Sequence, residues 1–264
     1  MKILGILNIT EDSFSDGGQF LAPEAALAQG RALLKDADIL DIGAVSSNPD
    51  SKPVPPDVEI ARLQSVVTPL KAEGAVISID SFAPEVQRWA LGQDIDYLND
   101  IHGFPDATLY PALAQSKAKL IVMHMVQERG VAVRTEVSSS EIFGRVTAFF
   151  DARIKALTGA GVARDRLVLD PGMGQFLGSD PENSWIILRR LPELRARYDL
   201  PLLVSVSRKG FLRKLVNRPP LEAGAASLAA ELFAEAQGAA YIRTHAPGAL
   251  RDGLKVLKNI GKPY

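Results

Sequence analysis

The stretch AVISIDSFAPEVQRWALGQDIDYLND, residues 75–100, contains the repeating unit that decides the fold. It opens with a nearly continuous apolar run at 75–80, and a second such run follows at 96–100. Continuous apolar runs are typical of strands that are buried on both faces, as in parallel sheets. Between the two runs, Pro84 stands at a plausible first helical position. The stretch therefore predicts a strand, a crossover helix and a second, parallel strand.

The same pattern continues in both directions along the chain. Strand-like runs occur at 2–8, 38–43, 75–80, 96–100, 118–124, 166–170, 201–206 and 239–244. The segments between them have helical periodicity, most clearly 141–158, which Gly159 is expected to end. Eight such units in 264 residues predict one domain over residues 1–264, a (β/α)8 TIM barrel. The alternative is a doubly wound open sheet, which would favour a GxGxxG fingerprint after the first strand, and the sequence has none.

The composition narrows the class of protein. Lys plus Arg number 30 and Asp plus Glu number 31, so the net charge is −1 and the basic excess of nucleic-acid binders is missing. The sequence has no cysteine, which excludes disulfides, thiolate metal sites and Cys nucleophiles. No apolar run reaches the roughly 18–20 residues that span a bilayer, and the N-terminus lacks a signal-peptide pattern. We expect a cytoplasmic protein without nucleic-acid or membrane partners.

Polar side chains stand at the carboxyl end of every predicted strand, where barrels of this kind hold their chemistry. They are Asn8, Asp41, Asp80, Asn99 with Asp100, His124, Asp170, Ser205 to Lys209, and Arg243 with His245. A single Asp or Asn at such a position is equally well explained as a helix cap or a turn residue. Because caps do not need Arg, Lys or His, the full set predicts a polar binding site around the barrel mouth.

Four of these residues, Asp80, Asn99, Asp170 and Lys209, have complementary hydrogen-bonding chemistry. Carboxylates accept, an amide donates and accepts, and an ammonium donates. Together they can recognise a flat heterocycle that carries N–H donors and ring acceptors, such as a 2-amino-4-oxo pyrimidine edge. Met123 could supply an apolar wall for that ring, or could be ordinary core packing.

A second group of residues indicates an anion site. The segment Ser207-Arg208-Lys209-Gly210 follows the seventh run and opens a helix-like stretch. Backbone N–H groups at a helix start attract anions, and barrels often place phosphate sites after strands seven and eight. Arg243 and His245 add donors from the eighth run. The alternative is a basic cluster on the surface.

Three polar segments rich in Gly, Ser or Pro are predicted to be loops at the barrel mouth, at 9–20, 44–56 and 127–140. Long loops of this kind often act as lids over a bound ligand. The alternative for each is disorder without function.

The order and spacing of motifs along the whole chain resemble those of the dihydropteroate synthase family. They are GILNITEDSFSDGG at 5–18, DIGAVS at 41–46, SIDSFAPEV at 78–86, LNDIHGF at 98–104, MHM at 123–125, LDPGMG at 169–174, SVSRKGFL at 205–212 and RTH at 243–245. The resemblance implies a TIM barrel that usually forms a homodimer. It also implies an enzyme that joins 6-hydroxymethyl-7,8-dihydropterin diphosphate to p-aminobenzoate, with 7,8-dihydropteroate and diphosphate as products.

The resemblance implies a role for individual residues. The residues that match the family's pterin contacts are Asp80, Asn99, Asp170 and Lys209, beside Met123. Asn8 matches a magnesium ligand, and Arg243 and His245 match the residues that hold the diphosphate. Ser207 with Arg208 matches the end that receives the p-aminobenzoate carboxylate, and Thr10, Asp12 and Phe14 match the first ordering loop. Mg²⁺ is therefore the expected cofactor. We expect Asp80, Asp170 and Lys209 to be catalytic, because the departing diphosphate leaves a cationic methylene that carboxylates can stabilise.

Several positions depart from the common family pattern. In loop two the family has Thr-Arg-Pro, and this chain has Ser47-Asn48-Pro49. After strand three the family has a Lys, and this chain has Ala83. The family's Phe-Gly-Lys is replaced by Gln175-Phe176-Leu177-Gly178, and its Asp after the strand-eight His is replaced by Ala246. These departures resemble the sulfonamide-insensitive branch of the family. We expect Ser47 and Phe176 to line the aryl-acid pocket, with Phe176 narrowing it so that a planar carboxylate fits and a tetrahedral sulfonyl clashes.

Other functions are open on the residues alone. Pterin-binding methyltransferases share the barrel and the pterin contacts, but they would leave the SRK and RTH cations unexplained. A paralogue that binds pterins without turnover would explain the missing Arg in loop two. A sugar-phosphate aldolase or isomerase would need a Schiff-base Lys on the sixth strand, and none is evident.

Overall fold

The computed structural model describes residues 1–10, 23–45, 53–127 and 136–261. Within them, strands and helices alternate along the chain. The strands are β1 (Lys2–Asn8), β2 (Ile39–Gly43), β3 (Ile77–Asp80), β4 (Tyr97–Asp100), β5 (Lys119–Met123), β6 (Leu167–Asp170), β7 (Leu203–Val204) and β8 (Tyr241–Thr244). The helices are α1 (Pro23–Leu33), α2 (Pro56–Ala72), α3 (Pro84–Leu91), α4 (Tyr110–Gln115), α5 (Ile142–Gly159), α6 (Pro181–Arg189), α7 (Leu191–Tyr198), α8 (Gly210–Val216), α9 (Gly224–Ala236) and α10 (Pro247–Ile260).

The strands form one parallel sheet in the order β6-β5-β4-β3-β2-β1-β8-β7. The two ends of this sheet meet, because Leu169 of β6 bridges to Leu202 just before β7, and the Leu169 amide donates to the Pro201 carbonyl at 2.9 Å. The sheet therefore closes into the TIM barrel that the sequence predicts, with all eight expected strands, and the open-sheet alternative is wrong.

Helix boundaries follow the sequence signals closely. Pro84 opens α3 and Pro181 opens α6, where proline costs no hydrogen bond. Asp180 caps α6 by accepting a hydrogen bond from the Glu182 amide at 2.9 Å. The long helix predicted at 141–158 is α5, and it ends at Gly159 as expected.

The barrel interior is apolar at the bottom and polar at the top. A plug of side chains fills the lower layer: Leu4, Ile39, Tyr97, Ile121, Val168, Leu203 and Tyr241. Side chains along a strand alternate between the two faces, so the residue two positions further on also faces inward. On the even-numbered strands these next residues are Asp41, Asn99, Asp170 and Arg243. Four polar side chains therefore form one layer at the carboxyl ends of β2, β4, β6 and β8.

Most of each predicted mouth loop lies outside the described residues, and Asp12, Phe14 and Ser47 lie there with them. Among the residues that are described, no helix has both the length and the apolar character needed to cross a bilayer.

Candidate active site

Arg243 is the centre of the polar layer inside the barrel. Its Nε donates to Asp41 Oδ2, and its Nη2 donates to Asp80 Oδ2 at 2.7 Å. Asn99 extends the cluster by donating from Nδ2 to Asp41 Oδ2 at 3.5 Å. The Asp41 side chain is fully buried and the Arg243 side chain is 16% exposed. Side chains from β2, β3, β4 and β8 are thus joined in one largely buried ionic cluster.

Asp170 and Lys209 lie beside this cluster. Asp170 Oδ1 accepts a hydrogen bond from the Gly172 amide at 2.8 Å. Gly172 has a φ of +74°, and a Cβ there would lie 2.4 Å from the His124 carbonyl oxygen, so the DPG turn requires glycine. Burial raises the pKa of Asp170 to about 6, although the Gly172 amide and Lys209 act against this shift. The carboxylate form is therefore the main one at neutral pH.

Lys209 has the opposite shift. Burial lowers the pKa of its ammonium to about 8, and Arg243 lowers it further, while Asp170 and Asp80 favour the charged form. Burial also raises the pKa of Asp80 to about 7, with Arg243 opposing the shift and Asp41 adding to it. Lys209 and Arg243 each act on the charges of both Asp80 and Asp170, so the four side chains share one site. Displaced pKa values of this kind are typical of functional sites.

An apolar cluster covers one side of the charged groups. Met123, Ile101, Met125 and Phe176 are buried together, and Phe82 packs against them. Lys209 Nζ lies 4.4 Å from the centroid of the Phe176 ring. Met123 is thus part of a small cluster at the barrel mouth, separate from the main core, and the site combines an apolar wall with convergent polar groups.

Ser207 and His245 form the second part of the site. Ser207 Oγ accepts a hydrogen bond from the His245 amide at 3.2 Å and lies 3.0 Å from His245 Nδ1. Burial lowers the pKa of His245 to about 3, and Arg208, Arg243 and Lys209 lower it too, so its imidazole is neutral. Arg208 has the left-handed φ of +59°, and its amide donates to Ser227 Oγ at 2.9 Å. The cations of Arg208, Lys209 and Arg243 thus lie near the neutral imidazole of His245, which favours an anion site over a surface cluster.

Two cavities adjoin these groups. The first, of about 140 Å³, is lined by Asn8, Thr10, Asp80, Arg243 and His245. The second, of about 390 Å³, is lined by Gln175 next to Arg208 and Lys209, with Arg213 and Lys214 at its outer side. Arg243 lines the first cavity and Lys209 lines the second, and the two cations act on each other's neighbouring carboxyls, Asp80 and Asp170.

The donor set of the first cavity fits Mg²⁺ only together with a ligand. Mg²⁺ prefers oxygen ligands and is usually bound by one or two side chains, several waters and substrate phosphates. Asn8 offers an amide oxygen, and the buried Glu59 of α2 offers Oε1, which has no hydrogen-bond partner among the described residues. Among all the described residues, no group of three His, Asp or Glu side chains is arranged so that it could hold a metal ion.

Two residues of the predicted polar ring do not join the site. His124 is buried against α5, where Nδ1 lies 3.2 Å from the Pro171 carbonyl oxygen and the ring meets Phe149 edge to face. Asp100 accepts hydrogen bonds from the amides of His102 and Phe104 and so stabilises a turn. Both residues follow an inward-facing neighbour, and the alternation of the strand turns them away from the barrel axis.

The structure also adds residues for which the sequence suggested no role. Asp41 was expected only as one member of the ring, yet it binds Arg243 and Asn99. The position of Asp41, a charged residue within the apolar run DILDIG, could have indicated that it has a buried polar partner. Glu59 gave no such signal, because an acid in the first turn of a helix is ordinary.

Comparison with known proteins agrees with this geometry. A family model described as pterin binding enzyme matches residues 4–245. "Dihydropteroate synthase type-2" of Escherichia coli is 59% identical over 256 residues, which cover 97% of this chain and 94% of that protein. The chain belongs to the dihydropteroate synthase family. Two solved dihydropteroate synthases of this family, both from Xanthomonas albilineans, have the same fold as the chain.

The first Xanthomonas structure, with 4-aminobenzoic acid, is 34% identical, has a TM-score of 0.89 and covers 98% of this chain and 92% of its own. The second, in complex with 7,8-dihydropteroate, is 29% identical, has a TM-score of 0.82 and covers the same shares. The fold that the resemblance implied is therefore confirmed, and so is membership of the dihydropteroate synthase family.

The departures from the dihydropteroate synthase pattern have clear positions. Ala83 lies just before α3 and makes no side-chain cap. The amide of Ala246 donates to Thr244 Oγ1 at 3.1 Å. Gln175 and Phe176 lie in a short 3-10 turn over residues 174–177, beside Lys209. These three replacements lie next to site residues in the chain or in space, and the residues of the ionic cluster are kept. The fourth, Ser47-Asn48-Pro49, lies outside the described residues.

Proposed function

We propose that this protein is a dihydropteroate synthase, which condenses 6-hydroxymethyl-7,8-dihydropterin diphosphate with p-aminobenzoate and releases diphosphate. The observation that carries the proposal is the convergence of Asp80, Asn99, Asp170 and Lys209 on one side of the barrel mouth, next to Arg243. Side chains that are far apart in the sequence thus face one small space. They have the donors and acceptors that a pterin ring requires.

The pterin ring binds between the polar layer and the apolar cluster. Asp170 and Asp80 accept its N–H groups, Asn99 bonds to its edge, and Met123 packs against its face. A ring donor that reaches Asp80 Oδ2 competes with Arg243, which holds that oxygen at 2.7 Å. Pterin binding therefore turns part of the Arg243 guanidinium toward the diphosphate in the first cavity.

The leaving diphosphate is held by cations and N–H donors. Arg243 lines the first cavity and Lys209 lines the second, and neutral His245 donates from its imidazole, because its backbone N–H already donates to Ser207. Asn8 would hold Mg²⁺ together with the diphosphate, and the metal would supply positive charge that neutralises the leaving group. As the carbon–oxygen bond breaks, Asp80 and Asp170 stabilise the positive charge that develops on the pterin methylene.

The aryl amine then attacks the methylene from the second cavity. Arg208, which lines that cavity, and the adjacent Ser207 would receive the carboxylate of p-aminobenzoate, and Arg is suited to bidentate binding of a carboxylate. The nitrogen–carbon bond forms, the amine loses a proton, and dihydropteroate results. Phe14 and Ser47 stay predictions for this step, because they lie outside the described residues.

The experiment that tests the function is a coupled assay with the pterin diphosphate, p-aminobenzoate and Mg²⁺. Equal amounts of dihydropteroate and diphosphate are the expected products. Pterin binding without any product would instead support a binding paralogue. Methyl transfer from a methylated pterin would support the methyltransferase alternative.

We further propose reduced sensitivity to sulfonamides. Phe176 is buried between Lys209 and Met123, so it borders the space that joins the pterin and aryl-acid sides. A tetrahedral sulfonyl group is bulkier than a planar carboxylate. The Phe176 ring therefore weakens the binding of a sulfonamide more than it weakens the binding of p-aminobenzoate.

The proposed assembly is a homodimer through α9 and α10. A groove of about 780 Å³ runs between these helices and is lined by Leu232, Phe233, Leu254, Leu257 and Met1. Phe233 is 42% exposed. A second copy that presents the same face would cover this apolar surface around a two-fold axis. Phe233→Lys is expected to lower the molecular mass measured in solution from dimer to monomer, and an unchanged mass would exclude this face.

A further inference from the structure

The hydroxyl of Ser207 lies where three hydrogen-bonding groups meet. The His245 amide donates to its oxygen at 3.2 Å, and His245 Nδ1 lies 3.0 Å from the same oxygen. The hydroxyl of Thr244, the last residue of β8, donates to it at 3.5 Å. Ser207 is 5% exposed and Thr244 is fully buried, so both hydroxyls are shielded from water.

The hydroxyl of Thr244 is oriented by its own neighbour. Its Oγ1 accepts a hydrogen bond from the Ala246 amide at 3.1 Å, so its proton points away from that amide and toward Ser207 Oγ. A serine hydroxyl has two lone pairs and one proton. The His245 amide and the Thr244 hydroxyl occupy both lone pairs of Ser207, and its own proton remains to be donated.

The remaining proton of Ser207 decides the state of the His245 ring. Its acceptor is Nδ1 at 3.0 Å, which must then be without a proton. Burial, helped by the surrounding cations, lowers the pKa of His245 to about 3, so the ring is neutral and carries a single proton. That proton is on Nε2. Since Nδ1 is turned toward Ser207, Nε2 is the ring nitrogen available to the first cavity, which His245 lines.

His124 is held in the opposite way. Its Nδ1 lies 3.2 Å from the Pro171 carbonyl oxygen. A carbonyl can only accept, so Nδ1 of His124 carries the proton and Nε2 is bare. Burial lowers the pKa of His124 to about 4, so this ring is neutral as well. The two histidines should therefore have opposite tautomers, which makes His124 an internal reference for His245.

We propose that the Ser207 hydroxyl, oriented by Thr244, is a positioning group that fixes His245 as the Nε2–H tautomer and so presents a neutral N–H donor to the leaving diphosphate. This inference rests on the function proposed above. The other tautomer would turn a nitrogen lone pair toward the phosphate oxygens, which would repel it. Because the hydroxyl is committed to His245, Ser207 would meet the carboxylate of p-aminobenzoate with its backbone amide.

The first test is an NMR spectrum of the histidine rings in isotope-labelled wild type. The chain has three histidines, and the variants His245→Gln and His102→Gln assign their signals. In a neutral imidazole, the bare nitrogen resonates well downfield of the protonated one. The expected result is a bare Nδ1 in His245 and a bare Nε2 in His124. A protonated Nδ1 in His245 would overturn the proposal.

The spectrum of Thr244→Val tests the link between Thr244 and Ser207. The variant frees one lone pair of Ser207, which can then accept a hydrogen bond from a protonated Nδ1. The two nitrogen signals of His245 should therefore move toward each other, while those of His124 stay in place. Unchanged His245 signals in this variant would overturn the role of Thr244.

The second test measures what the tautomer does for binding. Inorganic diphosphate with Mg²⁺, titrated calorimetrically, should bind Ser207→Ala about five- to tenfold more weakly than wild type, the effect of one lost hydrogen bond. The KM for the pterin diphosphate should rise by the same factor, and the KM for p-aminobenzoate should stay within twofold. Ser65→Ala is the matched control, because its hydroxyl donates to the Arg62 carbonyl within α2 at 2.7 Å, and it should change none of these values.

Diphosphate binding to Ser207→Ala within twofold of wild type would overturn the proposal. If Ser207→Ala fails to fold, the spectra of wild type and Thr244→Val still decide the tautomer. A wild-type protein that makes no dihydropteroate would contradict the proposed function instead, since neither the spectra nor the diphosphate titration depends on turnover.

Discussion

Arg243 and Asp41 form an ion pair inside the barrel although they are 202 positions apart in the sequence. Asp41 is fully buried, and Arg243 also holds Asp80. Burial lowers the pKa of Arg243, but the attraction of Asp41 and Asp80 outweighs this and raises it overall. The guanidinium is therefore a permanent positive charge, and Asp41 keeps it aimed at the barrel mouth.

Removing the charge of Asp41 should cost both stability and activity. Breaking a buried ion pair on one side typically costs about 3–5 kcal/mol, so we expect Asp41→Asn to lower the free energy of unfolding by about 3 kcal/mol. Urea denaturation measures this. Asp252→Asn, which breaks the exposed pair with Lys255, is the control and should cost about 0.5 kcal/mol or less. Equal losses in the two variants would contradict a structural role for the buried pair.

Asp80→Asn tests the dissociative route. The amide has the same shape but cannot stabilise a developing cation, and loss of such a group commonly lowers kcat about 10²–10³-fold. The coupled assay at saturating substrates measures kcat. Unchanged turnover would make the role of Asp80 untenable.

The pH profile of kcat/KM should be bell-shaped. Asp170 and Asp80 must be ionised to bind the pterin donors, and their pKa values are about 6 and about 7, so activity should fall as the pH drops through this range. Lys209 must be protonated and has a pKa of about 8, so activity should also fall above pH 8. Lys209→Arg should move the alkaline limb to higher pH, because guanidinium does not titrate there. An alkaline limb that is identical in the variant would exclude Lys209 as its source.

Phe176→Ala should increase sulfonamide inhibition. If the ring excludes the sulfonyl group, its removal should lower the inhibition constant about tenfold, which corresponds to about 1.4 kcal/mol. The KM for p-aminobenzoate should change less. Asp252→Asn, on the exposed surface of α10, is the control and should leave the inhibition constant unchanged. An inhibition constant that is the same in Phe176→Ala and wild type counts against the proposal.

Glu231 should make the stability of the fold depend on pH. Burial raises its pKa to about 7 from an ordinary value near 4.5, so the folded state holds this proton more tightly than the unfolded state. Stability is then lost as the pH rises from about 4.5 to 7, by up to about 3 kcal/mol. Glu231→Gln should lack this loss and become more stable than wild type at pH 8. Parallel stability curves for the two proteins between pH 4.5 and 8 would show that the carboxyl does not titrate in this range.

Sequence reasoning reached much of the site because strand ends are readable. An apolar run that stops at Asp80, Asn99 or Asp170 predicts a strand whose carboxyl end lies at the rim of the barrel. Eight such runs, separated by helical segments, predicted the eight strands of the barrel. The same reasoning placed His124 and Asp100 at the rim without the direction of their side chains. The face to which a side chain points depends on the strand register. A shift of the register by one residue reverses that face, and the apolar run in the sequence looks the same in both cases.

The sequence by itself determined the closed barrel, the family and the polar character of the barrel mouth, since these follow from local patterns of apolar and polar residues. Only the tertiary structure decided that Asp41 pairs with Arg243, that Phe176 lies over Lys209, and that Ser227 accepts a hydrogen bond from the Arg208 amide. These contacts join residues from different strands and helices, and their energies depend on burial and distance, which no local pattern contains.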